Sequence, residues 1–114
     1  MVGNKILKKF ENSFPNYCLL TTLETTFKIT CEFSKKTDKG IITIKYIPDK
    51  WLLEYYSFRK LVKSYKKSYC TYEKLATTIF QQIKDFLKPK YLVVTLSDPK
   101  GLKVTLDVFE EVKI

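Results

Sequence analysis

One cysteine, Cys31, stands in an alternating apolar run, and an aspartate, Asp38, follows seven residues later. Among the glutamates after it are Glu54 and, nineteen residues further on, Glu73. A thiolate is a strong nucleophile, and carboxyl groups can pass protons or grip paired N–H donors. The chain contains no histidine. That excludes a zinc enzyme built on imidazole and any Cys-His or Ser-His relay. Acid–base chemistry near neutrality would fall to carboxylates, tyrosines or lysines. Each residue also has a plainer explanation. A lone cysteine on an apolar strand face is ordinarily inert core, an aspartate in a turn forms the turn, and a glutamate in a first helical turn serves the helix dipole. Cys18, Cys31 and Cys70 are odd in number with no close pair, which argues against a disulfide framework or a zinc ribbon.

The elements that would position these residues follow from periodicity. Residues 1–17 hold Ile6, Leu7 and Phe10 among lysines, a short amphipathic strand or helical turn ended by Phe14-Pro15-Asn16. From Thr25 to Phe33, Phe27, Ile29, Cys31 and Phe33 alternate with polar residues, which predicts a strand. Ser34 to Gly40 reads as a polar loop carrying Asp38, and Ile41 to Ile47 alternates again, so the two strands make an antiparallel hairpin. Asp49 is a candidate cap for a helix containing Glu54, Phe58, Leu61 and Tyr65. Thr71 would cap a second helix, whose stripe runs through Tyr72, Leu75, Ala76, Ile79, Phe80, Ile83, Phe86 and Leu87 until Pro89 stops it. Lys90 to Leu96 and Leu102 to Val108 alternate around an Asp98-Pro99-Lys100-Gly101 turn. The order β-β-α-α-β-β predicts an α+β fold: a four-stranded antiparallel sheet with both helices on one face. Its exposed sheet edges predict a ring-forming homo-oligomer, with neighbouring sheets joined into a barrel.

With 114 residues the chain fits one domain, spanning residues 1–114. No apolar run is long enough to span a membrane and the N-terminus lacks a secretory core, so a cytoplasmic protein is expected. The net charge is +9, and the cations are lysines except for Arg59. A solvated surface explains that charge, and so does an anionic partner, of which nucleic acid is the commonest.

The stretch Ile47-Pro48-Asp49-Lys50-Trp51-Leu52-Leu53-Glu54 resembles the QueF family, the nitrile reductases of queuosine biosynthesis and their archaeal relatives. The likeness extends back through Cys31, Asp38 and Ser13-Phe14-Pro15-Asn16, and forward through Glu73, Leu87-Lys88-Pro89-Lys90-Tyr91 and the last hairpin. It implies the tunnelling fold (T-fold), whose β-β-α-α-β-β units join into multi-subunit barrels, here expected as a pentameric ring or a pair of rings. It also implies that Cys31 is the nucleophile, Asp38 the proton donor and acceptor, and Glu73 the substrate anchor, with Leu53, Glu54, Tyr55 and Tyr72 lining the pocket. The chain departs from the reductases in two places. Their Glu-Ser-Lys-Ser motif reads Glu54-Tyr55-Tyr56-Ser57 here, and their histidine before the anchoring glutamate is Tyr72. These departures resemble the archaeal branch, which makes archaeosine. That branch uses ammonia to convert 7-cyano-7-deazaguanine in the tRNA D-arm into the 7-formamidino base. Ammonia is then the co-substrate, and neither NADPH nor a metal is expected.

The residue types suit that reaction. A thiolate adds to a nitrile carbon, and an acid must protonate the nitrogen. A carboxylate matches the adjacent ring N–H and exocyclic amine of a deazaguanine. A base embedded in tRNA must be drawn from its stack, and lysines of the groups Lys35/Lys36/Lys39 and Lys60/Lys63/Lys66/Lys67 would meet phosphates. Two other readings stay open: a divergent NADPH-dependent reductase of the free nitrile base, and a non-catalytic tRNA- or deazapurine-binding module.

Overall fold

The computed structural model describes residues 3–30, 33–65, 71–98 and 105–108, with side chains for 5–30, 33–65 and 71–98. Cys31, Lys66, Lys67 and Cys70 lie outside the described residues. The chain opens with a short helix, α1 (Gly3–Ile6), and a strand, β1 (Lys9–Glu11). A long hairpin follows, β2 (Thr21–Thr30) and β3 (Thr37–Ile47), and then a short strand, β4 (Trp51–Leu53). Two helices, α2 (Tyr55–Lys63) and α3 (Tyr72–Leu87), precede β5 (Tyr91–Ser97) and β6 (Thr105–Val108). The main sheet is antiparallel in the order β2-β3-β5-β6, and β1 pairs with β4 in a separate two-stranded ribbon. This is the expected α+β class.

One face of the main sheet is apolar because its strands alternate in register. Ile42, Ile44 and Tyr46 of β3 lie opposite Leu96, Val94 and Leu92 of β5, and all six are buried. Phe27 and Ile29 extend that face on β2. α2 lies against β2, and α3 lies against β5 and β6. α2 contributes Phe58, Leu61 and Val62 to the core, and α3 contributes Leu75, Ala76, Ile79, Phe80, Ile83 and Leu87. The 3.6-residue spacing of these side chains lays one stripe of each helix on the sheet. α3 ends where Lys88 takes a left-handed conformation (φ 50°, ψ 56°) and Pro89 follows.

The structure corrects four expectations. Asp49 does not cap α2, because Trp51–Leu53 is drawn into the β1–β4 ribbon and the helix starts later, with Glu54 as its cap. Asp38 is not in a turn: β3 begins at Thr37, and Asp38 is a ladder residue opposite Ile29. Gly40 is not a turn residue either. It sits buried in β3 opposite Phe27, and a Cβ there would lie 2.5 Å from both the Phe27 ring and the Ser97 carbonyl oxygen. Phe33 does not share the buried face with Phe27 and Ile29; it lies in the turn and is 83% exposed.

Candidate active site

The hairpin sets the site's first member. Asp38 faces the helix-covered side of the sheet, since its cross-strand partner Ile29 is buried there. Cys31 lies two residues along the chain from Ile29 and is outside the described residues. Two steps along β3 from Asp38, Gly40 leaves room for the Phe27 ring to lie over the strand.

The start of α3 brings the next members. Thr71 is extended (φ −93°, ψ 167°) and its Oγ1 accepts the Lys74 N–H, which fixes the first turn. Tyr72 then packs edge-on against Phe27, with ring centroids 5.4 Å apart at 86°. Burial raises the Tyr72 pKa above its ordinary value, and the negative charges of Asp38 and then Asp98 push it further the same way. Its hydroxyl is therefore held protonated, as a donor. Glu73 is exposed in the first turn of α3, where the helix dipole favours an anion.

Glu54, Leu53 and Tyr55 sit elsewhere. The Glu54 carboxylate accepts the N–H groups of Tyr56 (2.7 Å) and Ser57 (2.8 Å), so both oxygens already serve the α2 cap. Ser57 is buried; its Oγ donates to the Glu54 carbonyl and accepts the Lys8 N–H, locking α2 to the segment before β1. The Leu53 N–H donates to the hydroxyl of fully buried Tyr46. The Tyr55 hydroxyl donates to the Glu24 carbonyl, its ring lies edge-on to Tyr56, and the Arg59 guanidinium is 6.0 Å from the ring centroid. Glu24 pairs with Thr43. Thr43 and Asp38 are five residues apart on β3, about 17 Å of strand. Within one chain the structure thus gathers Asp38, Tyr72 and Glu73 at one end of the sheet and Leu53, Glu54 and Tyr55 toward the other.

Sequence reasoning missed Phe27 and Gly40, which shape the floor beneath Tyr72, and Asp98, which adds a second carboxylate near it. The signal for Asp98 was there in register. β5 pairs Ser97 with Ile41, so the next position falls opposite Gly40, beside the Asp38 end.

A four-stranded antiparallel sheet with two long helices on one face, and acidic and phenolic side chains at the sheet end, defines the class: an α+β protein of the tunnelling type. A model of the QueF family, described as QueF-like protein, matches residues 37–111. The chain belongs to the QueF family. It is 33% identical to the NADPH-dependent 7-cyano-7-deazaguanine reductase of Chlorobium phaeobacteroides (strain BS1), over 80% of this chain and 78% of that protein. It is 35% identical to the reductase of the same name from Helicobacter pylori (strain Shi470), over 81% of this chain but only 64% of that protein. Among solved structures it resembles the archaeosine synthase QueF-Like in the apo form, with a TM-score of 0.75 and 28% identity, over 80% of this chain and 92% of that one.

The comparisons overturn the expectation that NADPH plays no part, because the relatives matched by sequence are named NADPH-dependent reductases. The residues present fit such a cofactor in charge. Arg59, Lys60 and Lys63 follow one another on α2, and Tyr56, 71% exposed, offers an open ring beside them. Glu54 has taken the first N–H groups of α2, so phosphates would be met by these side chains rather than by the helix start.

Proposed function

We propose that this chain is an archaeosine-synthase-type enzyme. It would add ammonia to the nitrile of 7-cyano-7-deazaguanine carried in tRNA, giving the 7-formamidino base in the cytoplasm. The observation that carries this reading is the grouping of Asp38, Tyr72 and Glu73 at the sheet end where β2 leads toward Cys31. The likeness to the archaeosine synthase, which extends over 92% of that chain, supports it.

The Cys31 thiolate adds to the nitrile carbon while Asp38, as the acid, protonates the nitrogen, leaving a thioimide and an Asp38 carboxylate. Ammonia then adds to the same carbon, and Asp38 takes one proton from the nitrogen that arrives. The C–S bond breaks, the electron pair returns to sulfur, and the amidine leaves. Glu73 accepts the paired N–H donors of the deazaguanine. The protonated Tyr72 hydroxyl donates to the bound base at the position where the reductases carry histidine. Glu54, Leu53 and Tyr55 complete the pocket from a neighbouring copy in a ring, since within one chain they stand apart from Asp38.

A second reading has its own support in the names of the sequence relatives: NADPH-dependent reduction of the free nitrile base. NADPH would supply hydride, and Arg59, Lys60 and Lys63 would hold its phosphates. One experiment separates the two readings. Nitrile-bearing tRNA and the free base are each incubated with protein and with ammonium, NADPH or both, while the modified base and NADPH consumption are measured. Ammonium-dependent amidine in tRNA is the expected result. NADPH oxidation with the free base and no amidine at any ammonium concentration would replace the first reading with the second.

A further inference from the structure

β2 and β3 remain paired out to Thr30 and Thr37, whereas the last described β3–β5 rung joins Ile41 to Ser97. Residues 37–40 of β3 therefore run past that rung, about 13 Å of strand, and with their β2 partners they form an arm. The arm's two faces differ. Asp38 lies on the helix side with buried Ile29, while Lys28 and Lys39 lie directly opposite each other on the open side, both exposed. Like charges in direct cross-strand opposition destabilise a sheet. In the turn, Lys35 takes a φ of 61°, a conformation that costs a side-chain-bearing residue free energy. Lys36 beside it is exposed, and Phe33 is 83% exposed.

A merely solvated surface accounts for the lysines but not for Phe33. An apolar contact with a second copy accounts for Phe33, but it would bring another set of the same cations. Folded RNA satisfies both features, because phosphates take the charge and a base takes the ring. We propose that the β2–β3 arm is the RNA-reading finger of this protein, with Lys28, Lys36 and Lys39 on phosphates and Phe33 stacked on a base next to the nucleotide delivered to Asp38. This rests on the reading that the substrate base is embedded in RNA. The finger explains how one hairpin serves both steps: cations outside hold the strand, and the acid inside meets the extruded base.

The test uses the full chain with Phe33→Ala, Phe33→Tyr and Lys28→Glu. Lys28→Glu discriminates well because it turns a repulsive cross-strand pair with Lys39 into an attractive one. A structural role predicts gain or no change from it, and an RNA role predicts loss. Binding of unmodified tRNA is measured against salt, and adduct formation with free 7-cyano-7-deazaguanine is followed by intact mass. Expected are an unchanged adduct rate for all variants and tRNA affinity lowered about tenfold in Phe33→Ala but restored in Phe33→Tyr. In Lys28→Glu the log–log salt slope should fall by about one at unaltered or higher Tm. Wild-type tRNA affinity and slope in both Phe33→Ala and Lys28→Glu overturn the proposal. So does a change of oligomeric mass in these variants, which would assign the arm to a neighbouring copy. Absence of any adduct in the wild type would sink the enzyme reading, while the binding measurements would still judge the finger.

Discussion

The two ends of the main sheet are built differently. At the Glu54 end, polar side chains are engaged in structural bonds: Glu54 caps α2, Ser57 ties α2 to Lys8, and Tyr46 receives the Leu53 N–H. Asn12 there is buried, donating to the Asp49 carbonyl and accepting the Phe14 N–H. At the other end, Asp38 and Asp98 gather around Tyr72, with Glu73 exposed on the same helical turn, and burial joined by the two negative charges raises the phenol's pKa. Perturbed titration by neighbouring charges is more frequent at functional sites, whereas both Glu54 oxygens are already taken by the α2 cap. Family likeness ranked Glu54 beside Asp38; the geometry separates them.

The largest expected effects lie at the Asp38 end. Cys31→Ala should abolish both the covalent adduct and turnover, and Asp38→Asn should slow turnover by about 10²–10⁴-fold with little loss of stability. An adduct that survives Cys31→Ala would remove the nucleophile from the scheme. Gly40→Ala comes next. Its new Cβ meets the Ser97 backbone and the Phe27 ring at 2.5 Å, and backbone cannot swing aside as a flexible side chain would. A loss of about 1–3 kcal/mol in urea unfolding is expected, with turnover falling as well because Phe27 carries Tyr72. At the Glu54 end, Glu54→Ala should cost about 1 kcal/mol through the lost cap. Glu54→Gln keeps an acceptor oxygen and should recover most of that stability. If Glu54→Gln is nonetheless inactive, Glu54 works in the pocket as well as in the cap, and the contrast between the ends narrows.

Much of this was legible from the residues. The alternation around Ile42, Ile44, Leu92 and Val94 and the stripe from Leu75 to Leu87 gave the sheet, α3 and their facing sides, and Thr71 was readable as a cap. The β1–β4 ribbon was not, because Lys9–Glu11 and Trp51–Leu53 are three-residue strands whose pairing depends on a contact more than forty residues away in sequence. Asp38 was read as a loop residue because Thr37-Asp38-Lys39-Gly40 is polar and ends in glycine. Its strand state comes from register with β2, which propensity does not carry. Gly40 misled for a related reason: glycine serves close approach as well as turns, and only the position of the Phe27 ring tells which. The split between Glu54 and Asp38 could not be read at all, since spacing along the chain does not say which end of the sheet a helix starts from.

The smallest effect sharpens the comparison most cleanly, because each end holds a tyrosine with a raised pKa. For Tyr46 the cause is burial, opposed by the Leu53 N–H, which favours the phenolate. For Tyr72 burial is joined by the charges of Asp38 and Asp98. Both groups hold their protons more tightly folded than unfolded, so the stability they contribute is full below about pH 10 and is lost as pH rises past it toward the folded values. An ultraviolet titration of phenolate should show late-ionising tyrosines, and Tyr72→Phe and Tyr46→Phe identify these two among them. Asp38→Asn should bring Tyr72 back toward its ordinary pKa and leave Tyr46 unmoved. Added salt should do the same in part, since it screens the half-exposed carboxylates but not burial. If Asp38→Asn leaves the Tyr72 ionisation unmoved, Asp38 does not reach Tyr72 electrostatically, and the grouping on which the proposed site stands is lost.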